Sequence, residues 1–129
     1  MVMNFQYNKI DHVQLAAPKG GEEKAKEFYI KKLGFTELEK PPLLKKNGGA
    51  WFRAGDVHIH IGIEDPFRPA TKAHPAIQVH QLESLKKHLT DQGIEVITDD
   101  RLPGASRFYV NDPFGNRIEF LEWISSEQG

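Results

Sequence analysis

Residues 56–64 read DVHIHIGIE. Val57, Ile59, Ile61 and Ile63 alternate with His58, His60 and Gly62, the period-two pattern of a β-strand with one face buried. A solvent-facing strand surface usually carries Lys, Glu or Thr, and here it carries two imidazoles. The aliphatic set requires a helix layer or a second sheet beneath it, and the histidines require some chemistry above it.

The strand belongs to a unit that occurs twice. Upstream, IDHVQLA alternates as a first strand, and Gly20–Leu33 has helical spacing at Ala25, Phe28, Tyr29 and Leu33, with Gly34 as its stop. Phe35–Glu39, a Pro41–Pro42 turn and AWFRA lead into the quoted strand, giving the order β, α, β, β, β. After the loop DPFRPATK the order returns: AHPAIQV, the helix LESLKKHLTDQG with Gly93 at its end, Ile94–Thr98, SRFYV, the turn NDPFGN and RIEFLEW. Overlaying the halves pairs His12 with His74, Gly34 with Gly93 and His60 with Glu119. A unit this short cannot bury its apolar face alone, so the two copies must pair.

The expected architecture is α+β: two paired βαβββ modules forming one curved mixed sheet, with helices on the outside and a concave ligand or metal cleft. One domain spans 1–129, with module 1 over about 8–64 and module 2 over about 72–124. Val13, Leu15, Val57, Ile59, Ile61, Ile77, Val79, Ile118 and Phe120 are expected under the helices. The opposite face then carries His12, His58, His60, His74, Arg117 and Glu119.

Composition narrows the chemistry. The 17 basic and 18 acidic side chains nearly cancel, which leaves no electrostatic footprint for nucleic acid or an anionic membrane. Cysteine is absent, so disulfides, thiolate nucleophiles and zinc–thiolate sites are excluded. Imidazole and carboxylate remain, the donor set for Zn²⁺, Mn²⁺, Ni²⁺ or non-haem Fe²⁺, and one of the two strand histidines is a candidate to close such a site. No apolar run approaches the ~20 residues of a membrane span, so a cytoplasmic location is expected. His80, just after a strand, and His88, in a Lys-rich helix, fall off the cavity face and read as ordinary polar side chains.

IDHVQLAAP, EFYIKKLGFTEL, KAHPAIQV and FYVNDPFGNRIEFLE together resemble the vicinal oxygen chelate superfamily, which includes glyoxalase I, fosfomycin-resistance thiol transferases, extradiol dioxygenases and bleomycin-resistance proteins. The resemblance implies paired βαβββ modules, a divalent metal (Zn, Mn, Ni or Fe) on the concave face, and a homodimer. It maps metal ligands onto His12, His74 and Glu119. The fourth position, a glutamate in glyoxalase I, is here His58 or His60, and the module overlay favours His60. Glu119 is also the expected catalytic group. His58, Arg107, Tyr109 and Arg53 are expected to contact substrate, with Trp51, Arg117, Phe67, Arg68 and Arg101 as further candidates around the cavity. The implied function is a metal-dependent lyase or isomerase, thiol transferase or dioxygenase acting on a small oxygen-rich molecule. The alternative is a non-catalytic binder of a drug or metabolite, of the bleomycin-resistance type.

Overall fold

The computed structural model describes residues 4–124. Eight strands form two four-stranded mixed sheets, and each sheet contains one βαβββ run. In the first, β1 (Val13–Ala17), β2 (Thr36–Leu38), β3 (Ala50–Ala54) and β4 (Val57–Ile63) lie in the order β1-β4-β3-β2. In the second, β5 (Ala76–Gln78), β6 (Ile97–Thr98), β7 (Ala105–Asn111) and β8 (Arg117–Trp123) repeat it as β5-β8-β7-β6. Each run pairs its first and last strands in parallel and the others antiparallel. No ladder joins β1 to β5. Residues of these two edge strands instead line shared grooves, so the expected curved surface is made of two sheets set edge to edge.

The alternation read from the sequence decides what is buried. Ile59, Ile61, Ile118 and Phe120 are core residues, and Val13, Leu15, Val57, Ile77 and Val79 pack against the same cluster. Tyr29, Phe52, Phe108, Leu89 and Val110 are the other large members that lose essentially all solvent contact. Residues from both sheets enter one continuous cluster. Each large side chain contributes about 1.5–3 kcal/mol on burial, which neither half gains alone.

The first helix differs in winding from a simple α-helix. After α1 (Glu22–Lys26), residues Glu27–Lys32 form a π-helical segment, closed by Leu33 N–H donating to the Phe28 carbonyl over 2.9 Å. The wider turn places Phe28 and Tyr29 together in the core, and Tyr29 stacks on Phe52 with centroids 5.2 Å apart. Gly34 ends the segment at φ +85°, as expected of a C-terminal glycine. The Pro41–Pro42 turn is instead the start of a one-turn helix, α2 (Pro42–Lys45), because a proline at the first helical position loses no hydrogen bond. In the second half, α3 (Leu82–Asp91) buries Leu82 and Leu89.

The turn NDPFGN ties the halves together. The Asp112 carboxylate, buried in the fold, accepts hydrogen bonds from Phe114 N–H (2.9 Å) and Asn116 N–H (2.8 Å) on Oδ1. On Oδ2 it accepts from Asn116 Nδ2 and from the Tyr29 hydroxyl, both at 2.8 Å. Asn116 Nδ2 also donates to the Ala16 carbonyl of β1 over 2.8 Å. Gly115 sits at φ +93°, where a β-branched side chain is strained. Tyr29 and Ala16 belong to the first half and the turn to the second, so turn geometry and module docking are one structure.

Removing one acceptor strands several donors. Asp112→Ala is expected to lower stability by about 3 kcal/mol, against about 1 kcal/mol for Tyr29→Phe, which deletes a single bond. Urea unfolding of the two variants checks this, and equal small losses would show that the hub is not what couples the halves.

Candidate functional site

Strand register places the polar face with the expected symmetry. His60 lies opposite Gln14 on β1 and Trp51 on β3, while Glu119 lies opposite Ala76 on β5 and Tyr109 on β7. His12 precedes Gln14 by two residues, as His74 precedes Ala76. His12, His60 and Trp51 are therefore the positional equivalents of His74, Glu119 and Tyr109, and the overlay of His60 on Glu119 is a matter of hydrogen-bonded register.

The two sets are built differently. In the first, His60 is sandwiched: its ring lies 3.9 Å from that of His12 at 13° and 4.2 Å from that of Trp51 at 8°. Trp51 thus faces the cavity side of the sheet. His60 is only 8% exposed, and burial, reinforced by the neighbouring His12 and His58, lowers its pKa to about 4. The ring is neutral at neutral pH. His12 forms the outer end of the stack and bonds through Nδ1 to Asp11 Oδ1 at 2.9 Å. The lone pairs of parallel rings lie in parallel planes, so joint ligation of one ion by His12 and His60 requires a ring to leave the stack. His12, with 40% of its side chain exposed, is the one with room to turn.

In the second set, His74 Nε2 lies 2.9 Å from Glu119 Oε1, and His74 Nδ1 lies 2.8 Å from the Lys72 carbonyl. The other carboxylate oxygen, Oε2, accepts from Arg107 Nη1 at 3.4 Å. Arg107 also pairs with Asp99 at 3.3 Å, and Asp99 accepts a bidentate contact from Arg101 at 2.9 and 2.6 Å that holds its carboxyl well below the usual range. Tyr109 packs edge-on against His74 at 5.4 Å between two guanidiniums, those of Arg107 (5.6 Å) and Arg117 (5.2 Å).

His74 carries information about what belongs there. A carbonyl and a carboxylate only accept, yet each faces a ring nitrogen of His74, and a neutral imidazole has one N–H. Either both nitrogens carry hydrogen, or a cation takes the place of one proton between Nε2 and Glu119. With Nδ1–H fixed by Lys72, Nε2 and the carboxylate form the imidazole–oxygen donor pair suited to a divalent ion. The residues fit such a group as half a site: among the described residues no three His, Asp or Glu side chains converge within one chain.

The structure therefore joins His74 with Glu119, Arg107 and Tyr109, and separately joins His12 with His60. His58, across from Arg53 on β3, lines a groove of about 250 Å³ with His12 and Ile77. Arg53 is exposed and lies outside both sets. His80 is exposed, and His88 bonds the Lys32 carbonyl at 2.9 Å, well away from either set. Asp99, which anchors Arg107, was not singled out in the sequence. The only trace it leaves there is the charge run DDR.

The profile of the Glyoxalase/Bleomycin resistance protein/Dioxygenase superfamily matches residues 9–120, and the chain belongs to that superfamily. Members are generally metal-dependent, bind small molecules and are often dimeric. A glyoxalase family protein from Bacillus anthracis is 53% identical, with a TM-score of 0.91, covering 94% of this chain and 99% of its own. The fosfomycin resistance protein FosX from Listeria monocytogenes shares the fold at 16% identity, with a TM-score of 0.74 and coverage of 95% and 98%. So does TnmS3, an antibiotic binding protein from Streptomyces sp. CB03234, at 22% identity, with a TM-score of 0.67 and coverage of 91% and 99%. No curated protein matches the sequence significantly. Among the described residues no helix is long and apolar enough to cross a membrane.

The buried neutral His60 predicts a pH effect on the metal-free protein. Below ~6.5 the unfolded chain takes up a proton that the folded chain refuses until about pH 4, so stability falls as pH drops through that window and the loss is complete below it. The expected loss is about 3 kcal/mol by pH 4, absent in His60→Gln. Urea midpoints of both proteins between pH 7 and 4 check it, and parallel curves would place the titration elsewhere.

Proposed function

We propose that this chain is a metal-dependent enzyme acting on a small oxygen-rich substrate, of the lyase or isomerase, thiol transferase or dioxygenase type. The observation that carries the reading is the His74–Glu119 pair, whose Nε2 and Oε1, 2.9 Å apart, are a nitrogen and an oxygen that one divalent ion could bind together. His12, His60, His74 and Glu119 are the proposed ligands. Because one chain keeps the two half-sets apart, the proposed unit is a homodimer in which His12 and His60 of one protomer meet His74 and Glu119 of the other. The positional equivalence of the half-sets supports this, since a two-fold axis can set unlike halves face to face.

A divalent ion (Zn, Mn, Ni or Fe) held there supplies Lewis acidity toward vicinal substrate oxygens. Glu119 is the proposed catalytic group, its carboxylate moving a proton at the substrate while His74 and Arg107 hold its two oxygens in place. Tyr109 and Arg107 border the same space, and His58 and Arg53 are the proposed contacts from the other half-set. Trp51, stacked on His60, excludes water from one wall, while His12 turns out of the stack to reach the ion.

A second reading, non-catalytic sequestration of a drug or metabolite in a cytoplasmic protein, is favoured by the lack of three converging donors in one chain. Competition with a chromophoric chelator separates the two. His74→Ala and Glu119→Ala are each expected to weaken divalent-ion binding at least ~100-fold. Mixing inactive His12→Ala and Glu119→Ala proteins is expected to restore about a quarter of the sites, through hybrid dimers. A parent protein that takes up no divalent ion overturns the metal reading, and failure of the mixture to recover any site overturns the shared one.

A further inference from the structure

The second half carries three guanidiniums, those of Arg101, Arg107 and Arg117, and they are not equally engaged. Arg101 is clamped on Asp99, and Arg107 bridges Asp99 and Glu119. Arg117 has no carboxylate within ion-pair distance among the described residues. It lies over the Tyr109 ring with its central carbon 5.2 Å from the ring centroid. A cation–π contact of this kind does not consume the guanidinium's N–H donors, which can still meet an anion.

Arg117 borders a cavity of about 410 Å³, lined also by Tyr109, Asn111, Thr98, Ile97 and Arg101. The volume is within the ~300–1,000 Å³ range of small-molecule sites. Asn111 is the cross-strand partner of Arg117, so an amide sits opposite the guanidinium, and Tyr109 and Thr98 bring hydroxyls to the same walls. Asp99 also lines the cavity, but its charge is already matched by two guanidiniums; Asp100 is exposed and contributes one negative charge to the lining. Arg117 precedes Glu119 by two residues on β8, hence shares its face at a spacing of about 6.6–6.8 Å along the strand.

We propose that this cavity is an oxyanion subsite. It takes the carboxylate or phosphonate end of a small organic acid on Arg117, with Asn111, Thr98 and Tyr109 as neutral donors, while the oxygen-bearing remainder extends toward Glu119. The subsite deepens the proposed function, since it names the substrate as an anion, but Arg117 binds the anion whether or not a metal is present. Arg107 is excluded as the anchor because its charge is already shared between two carboxylates.

The test uses methylphosphonate and glycolate as probes, titrated by two-dimensional NMR against the parent protein before and after chelation of metals, with ethylene glycol as the neutral control. Saturable binding to the chelated parent, shifts centred on Arg117 and Tyr109, and at least tenfold weaker binding by Arg117→Ala (about 1.4 kcal/mol) are expected, with Arg117→Lys intermediate. Whichever probe binds more tightly identifies the headgroup. Metal affinity of Arg117→Ala, read by chelator competition, should stay within about threefold of the parent. Binding that survives unchanged in Arg117→Ala, that requires metal, or that the neutral diol reproduces overturns the subsite. A protein that binds the anions through Arg117 but takes up no divalent ion would leave the subsite standing and remove the metal reading instead.

Discussion

A single carboxylate organises this molecule. Asp112 holds its own turn through two backbone N–H groups, reaches Tyr29 in the first half, and orients Asn116, which in turn grips the first strand. A buried carboxylate without donors would cost several kcal/mol, and one surrounded by four is favourable and directional. The turn opens β8, the strand that carries Arg117 and Glu119. Their aim is consequently set by a bond network whose other end lies in the π-helical segment and β1.

The duplicated architecture was legible because alternation is a local signal. Every aliphatic position expected beneath the helices is in or against the core, and the His60–Glu119 overlay coincides with strand register. The placement of Arg107 and Tyr109 beside Glu119 also followed from period two. What could not be read was how side chains on the same face choose partners. His12 and His60 stack instead of converging, because rotamers and the relative placement of two sheets decide that and neither leaves a periodic trace. The π-helical turn was equally hidden: its residues are compatible with an α-helix, and tertiary packing of Phe28 and Tyr29 selects the wider winding. Asp99 escaped notice since a carboxylate in a charged run is ordinarily solvated, and only the fold delivers Arg107 to it.

Equivalent positions in the two halves have acquired different electrostatics. His60 is a neutral ring pressed between aromatic planes, whereas Glu119 is a carboxylate whose two oxygens face different polar side chains, His74 and Arg107. One half offers apolar stacking surface and the other offers charge and hydrogen bonding. A cleft built from both, as in the proposed dimer, would present a small molecule with two chemically distinct walls, an arrangement that orients an asymmetric substrate.

The edge-to-edge seam has its own consequence for solubility. β1 and β5 are both terminal strands, and each leaves one row of backbone N–H and C=O groups outside any ladder. Set side by side across a groove, they screen each other from incoming chains, a protection that edge strands elsewhere obtain from lysines, bulges or prolines. Pro75, next to β5, supplies part of that protection. Loosening the seam would expose two templates for strand addition at once, and the damage would surface as light scattering by self-associated protein before any change in the secondary structure of either sheet.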